Sequence, residues 1–131
     1  MPQYYKEAKA TVLASTKETW GLVINESMAS GTPCIVSKNC GCYLDLIKEG
    51  ETGWGFDPNN EIELSNVFLK VEKTNKKELS KMKSNIKSKM NNFSLDNFKQ
   101  AVEEAIENSL KDRKSSLISS ILGYILFTLK N

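Results

Sequence analysis

The sequence predicts an α/β fold with a parallel sheet and flanking helices, and three observations carry that reading. Short apolar runs recur at residues 11–15 (TVLAS), 34–37 (CIVS) and 54–56 (WGF). Helix-length segments separate them, so strand and helix alternate along the chain. The runs are continuously apolar rather than alternating with polar residues, as suits strands covered on both faces.

Each element has its own signal. Residues 3–9 read as the end of a short helix, and 11–15 as the first strand. STKE (15–18) is polar loop. A helix over 21–30 follows, covering one face of the sheet; Gly31 is placed to stop it and Pro33 reinforces the stop. CIVS is the second strand and KNCGC a loop. YLDLIKEG (43–50) reads as a short helix closed by Gly50, and TGWGF as a turn and the third strand. DPNN then opens a helix from about Glu61 to Val71.

Two longer helical patterns come next. Leu79, Met82, Ile86 and Met90 form one apolar stripe on a lysine-rich helix. Those lysines fit a solvated face, with an anionic membrane surface as the sharper alternative. From Ser94, a plausible N-cap, Leu95, Phe98, Val102, Ile106 and Leu110 form a second stripe, with Asp96 favourably placed in the first turn. In the tail, LISSILGYILFTLKN, the residues Ile118, Ile121, Leu122, Ile125 and Leu129 mark a third, which requires a partner surface. The tail is shorter than the roughly 20 apolar residues that cross a bilayer. A core helix, a partner-binding helix and an interfacial anchor all remain open for it. The pattern divides the chain at 1–92, 93–114 and 115–131.

Bulk properties exclude several function classes. The 131 residues suffice for one modest domain, and 40% hydrophobic content supports a core. A formal charge of +2 gives no argument for nucleic-acid binding. Residues 1–10 carry charges and no apolar core region, so no secretory leader is expected. Cysteines are few and odd in number (Cys34, Cys40 and Cys42), which points to a reducing, cytoplasmic compartment. Cys34 reads as inert core, and Cys40 and Cys42 lack partner ligands for a metal. The absence of histidine rules out Ser-His-Asp and Cys-His nucleophiles and histidine-ligated zinc.

The chemistry must then come from carboxylates and backbone, and ETWGLVINESMASGTPCIVS (18–37) supplies both. At about 100° per residue, Glu26 falls between Leu22 and Val23, with Ala29 and Ser30 one turn on and Ile24 and Met28 opposite. The helix therefore reads as apolar nearly all round, and a carboxylate in it is costly without a partner. A lysine or a backbone amide would serve; so would a ligand. The loop KETWG leads from a strand end into the helix N-terminus, where free N–H groups bind anions and glycine admits close approach. In parallel α/β sheets, ligands bind at the carboxyl ends of strands. Glu18 in that loop and Glu26 in the helix can both accept hydrogen bonds from a polyhydroxyl ligand.

These residues resemble the E-x7-E motif of retaining family-four (group 1) glycosyltransferases, which have the GT-B fold. Ser15-x-x-Glu18, Gly21-Leu22-Val23 and Glu26-Ser27-Met28-Ala29-x-Gly31-Thr32-Pro33 follow the family pattern, as do YYKEAKATVLAS, GCYLDLIKEGETGW and FSLDNF. The resemblance covers roughly residues 4–110. It implies the C-terminal half of a Rossmann-like donor domain at 1–92, followed by a crossover-type helix. Under it, Glu18 contacts the donor sugar and is the catalytic candidate. The backbone amides of Thr19, Trp20, Gly21 and Leu22 face the sugar and diphosphate, and Glu26 holds the ribose hydroxyls. The nucleotide sugar is a substrate, and no cofactor or metal is expected.

Departures from the family pattern are Trp20 for a common phenylalanine or leucine, Thr19 for a frequent glycine, Asp45 for glutamate and Ala14 for proline. The resemblance also places the acceptor domain, and the basic pair that neutralises the diphosphate, outside these residues. The isolated chain is thus expected to be inactive, as one piece or subunit of an enzyme of surface polysaccharide or glycolipid synthesis. The alternatives are a non-catalytic donor-binding subunit docked on a membrane partner and an inactive fragment. Expected partners are a nucleotide sugar and an acceptor domain or partner chain, with peripheral membrane contact through the tail left open and no nucleic acid.

Overall fold

In the computed structural model the backbone is described for residues 2–128 and the side chains for residues 3–111. The elements run α1 (Pro2–Glu7), β1 (Thr11–Leu13), α2 (Leu22–Ala29), β2 (Cys34–Ser37), α3 (Tyr43–Leu46), β3 (Gly53–Phe56), α4 (Glu61–Lys73), α5 (Lys76–Asn91) and α6 (Leu95–Thr128). They form two compact units, Met1–Asn92 and Phe93–Asn131.

The first unit holds a three-stranded parallel sheet in the order β1-β2-β3. Val12 pairs with Ile35, and Ile35 with Trp54. The alternating expectation of short strands and helices is met. The first strand is shorter than 11–15, because its pairing with β2 ends at Leu13↔Val36.

Strand alternation divides the core into two layers. Cys34 and Val36 face one way, packing with Ile24 and Met28 of α2, Leu46 of α3 and Ile86 of α5. Ile35 faces the other way, with Trp54 and Phe56 of β3, Val67 and Val71 of α4, and Met82 of α5. Full burial of a side chain such as Ile24 or Met28 contributes about 1.5–3 kcal/mol. The predicted stripe on α5 is seen directly: Met82 and Ile86 are buried, and Leu79 and Met90 half-buried. Its capping box is complete, since Asn75 accepts from the Glu78 amide and Glu78 answers at the Asn75 amide.

Two sequence expectations need correction. The helix expected over 43–50 stops at Leu46, because Thr52 replaces its hydrogen bonds. The Thr52 hydroxyl donates to Leu46 O at 2.9 Å and accepts from the Lys48 amide at 2.8 Å. Gly50 serves the turn instead, its amide reaching Gly53 O at 2.9 Å. The second correction concerns α2, which is not enclosed on all sides. Ile24, Ser27 and Met28 are buried, whereas Leu22 is 70% exposed and Glu26 is exposed too. An eight-residue helix lying on a sheet covers it with one face only, and the Leu22–Glu26 side points away. Glu26 therefore avoids the burial penalty that the sequence pattern implied.

In the second unit, α6 is a single helix over Leu95–Thr128. Ser94 Oγ accepts the Asn97 amide at 3.3 Å, as an N-cap does. Leu95, Phe98, Val102, Ile106 and Leu110 stand exposed along it. Ile118, Ile121, Leu122, Ile125 and Leu129 lie outside the residues whose side chains are described. Among the described residues, no helix is long and apolar enough to cross a membrane.

Candidate active site

The loop from Ala14 to Gly21 leaves the carboxyl end of β1 and delivers the chain to α2. It is held from the side by the Cys40–Cys42 loop that follows β2. Glu18 and Cys40 form an isolated parallel bridge. The Gly41 amide donates to Glu18 O at 3.0 Å, and the Cys42 amide to Trp20 O at 3.2 Å. The two loops approach so closely that a Cβ on Gly41 would lie on the Thr19 carbonyl. A residue without a side chain is required there for lack of space.

Gly21 is required for a different reason. It is the N-cap of α2 with φ 92° and ψ 65°, the left-handed region, which costs other residues roughly 1–2 kcal/mol. A Cβ there would also meet Leu13 Cδ2 at 2.6 Å. Glycine brings no side-chain cap, so the start of α2 lacks the hydroxyl or carboxylate that commonly binds the first amides. The partial positive charge of the helix start stays available to an anion.

Glu18 and Glu26 stand on either side of this turn. Glu18 is half-buried, and its Oε1 lies 3.4 Å from the Trp20 amide and 3.5 Å from Thr19 Oγ1. Of the four amides expected to face a donor, that of Trp20 is thus turned to Glu18 itself. Glu26 is exposed, and its Oε2 accepts the Tyr5 hydroxyl at 3.1 Å. Among the described residues, neither glutamate takes part in an ion pair. Two carboxylates without counter-charges beside an uncapped helix start can accept hydrogen bonds from hydroxyls while the amides receive an anion.

Trp20 anchors the turn. Its ring packs against the core layer beneath α2, and its indole Nε1 donates to Asn25 Oδ1 at 2.7 Å. Three contributors escaped the sequence reading: Tyr5, Asn25 and Gly41. Asn25 is one of three polar residues in α2, and no spacing rule links it to Trp20. The signal for Gly41 is its place between two cysteines in a loop after a strand. Tyr5 is 21 residues from Glu26, and no local pattern connects them.

Residues 1–89 match the family profile described as glycosyl transferases group 1. The chain belongs to that family. Across 122 residues, 90% of its length, this group 1 glycosyl transferase chain is 31% identical to an alpha-1,3/1,6-mannosyltransferase alg-2 of Neurospora crassa. It spans 26% of that relative. Among solved structures, the sucrose-phosphate synthase of Thermosynechococcus elongatus superposes with a TM-score of 0.69 at 26% identity, covering 82% of this chain and 27% of that one. Alr3699/HepE of Anabaena, in complex with UDP, superposes with a TM-score of 0.70 at 25% identity, covering 82% and 30%. The fold of this group 1 glycosyl transferase chain is accordingly a piece of the GT-B architecture, with the turn around Gly21 at the carboxyl edge of a Rossmann-like sheet.

Proposed function

We propose that the Glu18–Glu26 segment binds a nucleotide-sugar donor, in an enzyme that transfers the sugar with retention during synthesis of a surface polysaccharide or glycolipid at the cytoplasmic side of a membrane. The observation that carries the reading is the uncapped, left-handed Gly21 turn between two glutamates that, among the described residues, are free of ion pairs. It is supported by the UDP complex of the similar HepE structure. In this reading the first amides of α2 receive the diphosphate, Glu18 meets the sugar and Glu26 meets the ribose hydroxyls. Oriented amides contribute most where charge develops on the leaving diphosphate. Because the chain spans 26% of the mannosyltransferase it resembles, donor binding is assigned to the chain and transfer to a full-length enzyme.

The test is titration of the chain with UDP and with GDP, for wild type, Glu18→Gln and Glu26→Gln. A hydrogen bond to a charged group is worth roughly 1.5–3 kcal/mol, so Glu26→Gln is expected to weaken the nucleotide about tenfold to a hundredfold. Glu18→Gln is expected to leave free nucleotide affinity nearly intact and to lower turnover with the sugar donor in a full-length enzyme. Equal nucleotide affinity for wild type and Glu26→Gln would remove Glu26 from the site.

A further inference from the structure

We infer that Tyr5 is a positioning residue for the donor ribose, holding the Glu26 carboxylate so that one oxygen is fixed and the other is presented to ligand. The inference rests on the donor-site reading of Glu26 and adds to it the protein group that aims this side chain.

The geometry is specific. The Tyr5 hydroxyl donates to Glu26 Oε2 at 3.1 Å. Among the described residues, Glu26 makes no other side-chain hydrogen bond, so Oε1 keeps its full accepting capacity. Tyr5 is itself held. Its backbone carbonyl accepts the hydroxyl of buried Thr32 at 2.6 Å and the Ala8 amide at 3.1 Å. Thr32 lies just beyond the C-terminal end of α2, with its amide on Ser27 O at 3.1 Å. The backbone of α1 is therefore pinned near one end of α2, while the phenol reaches a carboxylate farther up the same helix.

The chemistry suits the task. Glutamate carries large side-chain conformational freedom, and ordering it during ligand binding would cost affinity. A phenol bond formed in advance removes part of that cost. Desolvation, followed by the bond to Glu26, raises the Tyr5 phenol above its ordinary 10.0. The phenol therefore keeps its proton at neutral pH and acts as the donor, never as a competing anion. Neighbouring Tyr4 is 75% exposed and makes no such bond among the described residues, so it provides a matched control.

The experiment compares UDP, or GDP where that binds more tightly, with the 2′,3′-dideoxy form of the same nucleotide. Both are titrated into the 131-residue chain as wild type, Tyr4→Phe, Tyr5→Phe, Glu26→Gln and the Tyr5→Phe/Glu26→Gln pair. Tyr5→Phe keeps the ring and its packing, and thermal melting checks that it folds. The expectation is a loss of about tenfold in affinity for the ribonucleotide, with no change for the dideoxy form and none from Tyr4→Phe. In the Glu26→Gln background, Tyr5→Phe should add no further loss. Equal weakening of both nucleotides would reduce Tyr5 to a structural residue and overturn the inference, as would an unchanged ribonucleotide affinity. Should Glu26→Gln itself fail to discriminate the two nucleotides, the donor-site reading fails, and the Tyr5 inference falls with it.

Discussion

The indole Nε1 of Trp20 and Oδ1 of Asn25 are 2.7 Å apart, tying the turn before α2 to the first turns of the helix. The same tryptophan gives its carbonyl to the Cys42 amide. One residue thus joins the helix start to both loops of the site, and its amide also donates to Glu18 Oε1 at 3.4 Å.

The first prediction concerns this bond. Asn25→Leu keeps the branched outline of the side chain and raises helix propensity, but leaves the indole N–H without its acceptor. Trp20 is half-buried, so the cost is expected near the ordinary net value of a hydrogen bond, about 0.5–1.5 kcal/mol. Urea unfolding of the chain measures it. In a Trp20→Phe background the donor is gone, and Asn25→Leu should show only the gain in helix propensity. Equal costs in the two backgrounds would mean that the bond contributes nothing.

A second prediction separates two glycines. At Gly41 a Cβ would lie on the Thr19 carbonyl, so Gly41→Ala must push the two site loops apart. Overpacking of this kind costs about 1–3 kcal/mol, and the bonds from Gly41 to Glu18 O and from Cys42 to Trp20 O stand to be lost with it. At Gly31 there is open space, but φ is +80°, so Gly31→Ala should cost about 1–2 kcal/mol of backbone strain. Both variants should melt at lower temperature by circular dichroism. Only Gly41→Ala should also lose nucleotide affinity, because only it displaces the Thr19–Gly21 turn that sets the first amides of α2. Intact binding in a folded Gly41→Ala chain would show that the loop contact does not shape the site.

Legibility in the sequence followed the range of the interaction. The strands and α2, α4 and α5 were visible because their apolar spacing and their turn and stop residues are local; the DPNN turn does open α4, with Asn60 as its cap. The Glu18–Glu26 pair was legible because it sits on one continuous segment. The surroundings of Glu26 were misjudged, because periodicity gives the direction of a residue on a helix and not what covers that direction. Thr52 shortened α3 through bonds to residues four and six positions away, a side-chain competition that no apolar pattern records. Tyr5, Gly41 and Asn25 matter through contacts that depend on the fold, and no local pattern records those contacts.

The third prediction concerns the three thiols, all free and buried. Desolvation pushes Cys34 up to about 12 and Cys42 up to about 11, and raises Cys40 above its ordinary value as well. Thiolate is the reactive form, so at pH values near 8 the folded chain should react very slowly with a thiol-specific disulfide reagent. Adding urea should release all three thiols, along the same curve as the loss of helical signal. Rapid labelling of one thiol in the folded chain would contradict the packing of Cys34, Cys40 and Cys42 beneath α2.

The last prediction uses the ion pair that joins the end of β2 to the first turn of α4. Lys38 Nζ lies 2.6 Å from Glu63 Oε1, while Glu63 Oε2 accepts the Asp57 amide at 2.8 Å. The Lys38 bond, then the Asp57 amide, lower the Glu63 carboxyl below its ordinary 4.5. The same bond with Glu63 raises Lys38 above its ordinary 10.5. A carboxyl lowered on folding contributes stability above its unfolded value and loses it as pH falls through the folded one. A lysine raised on folding contributes below its unfolded value and loses it as pH rises through the folded one. The pair therefore stabilises the chain across the window between the two ordinary values, and both groups are solvent-accessible, so the effect is small and screened by salt. Melting temperature measured against pH should place Glu63→Gln below wild type near neutrality, with the gap closing in acid and in strong alkali and narrowing in high salt. A gap that stayed constant from acid to alkali would assign the effect of Glu63 to its hydrogen bond with the Asp57 amide rather than to its charge.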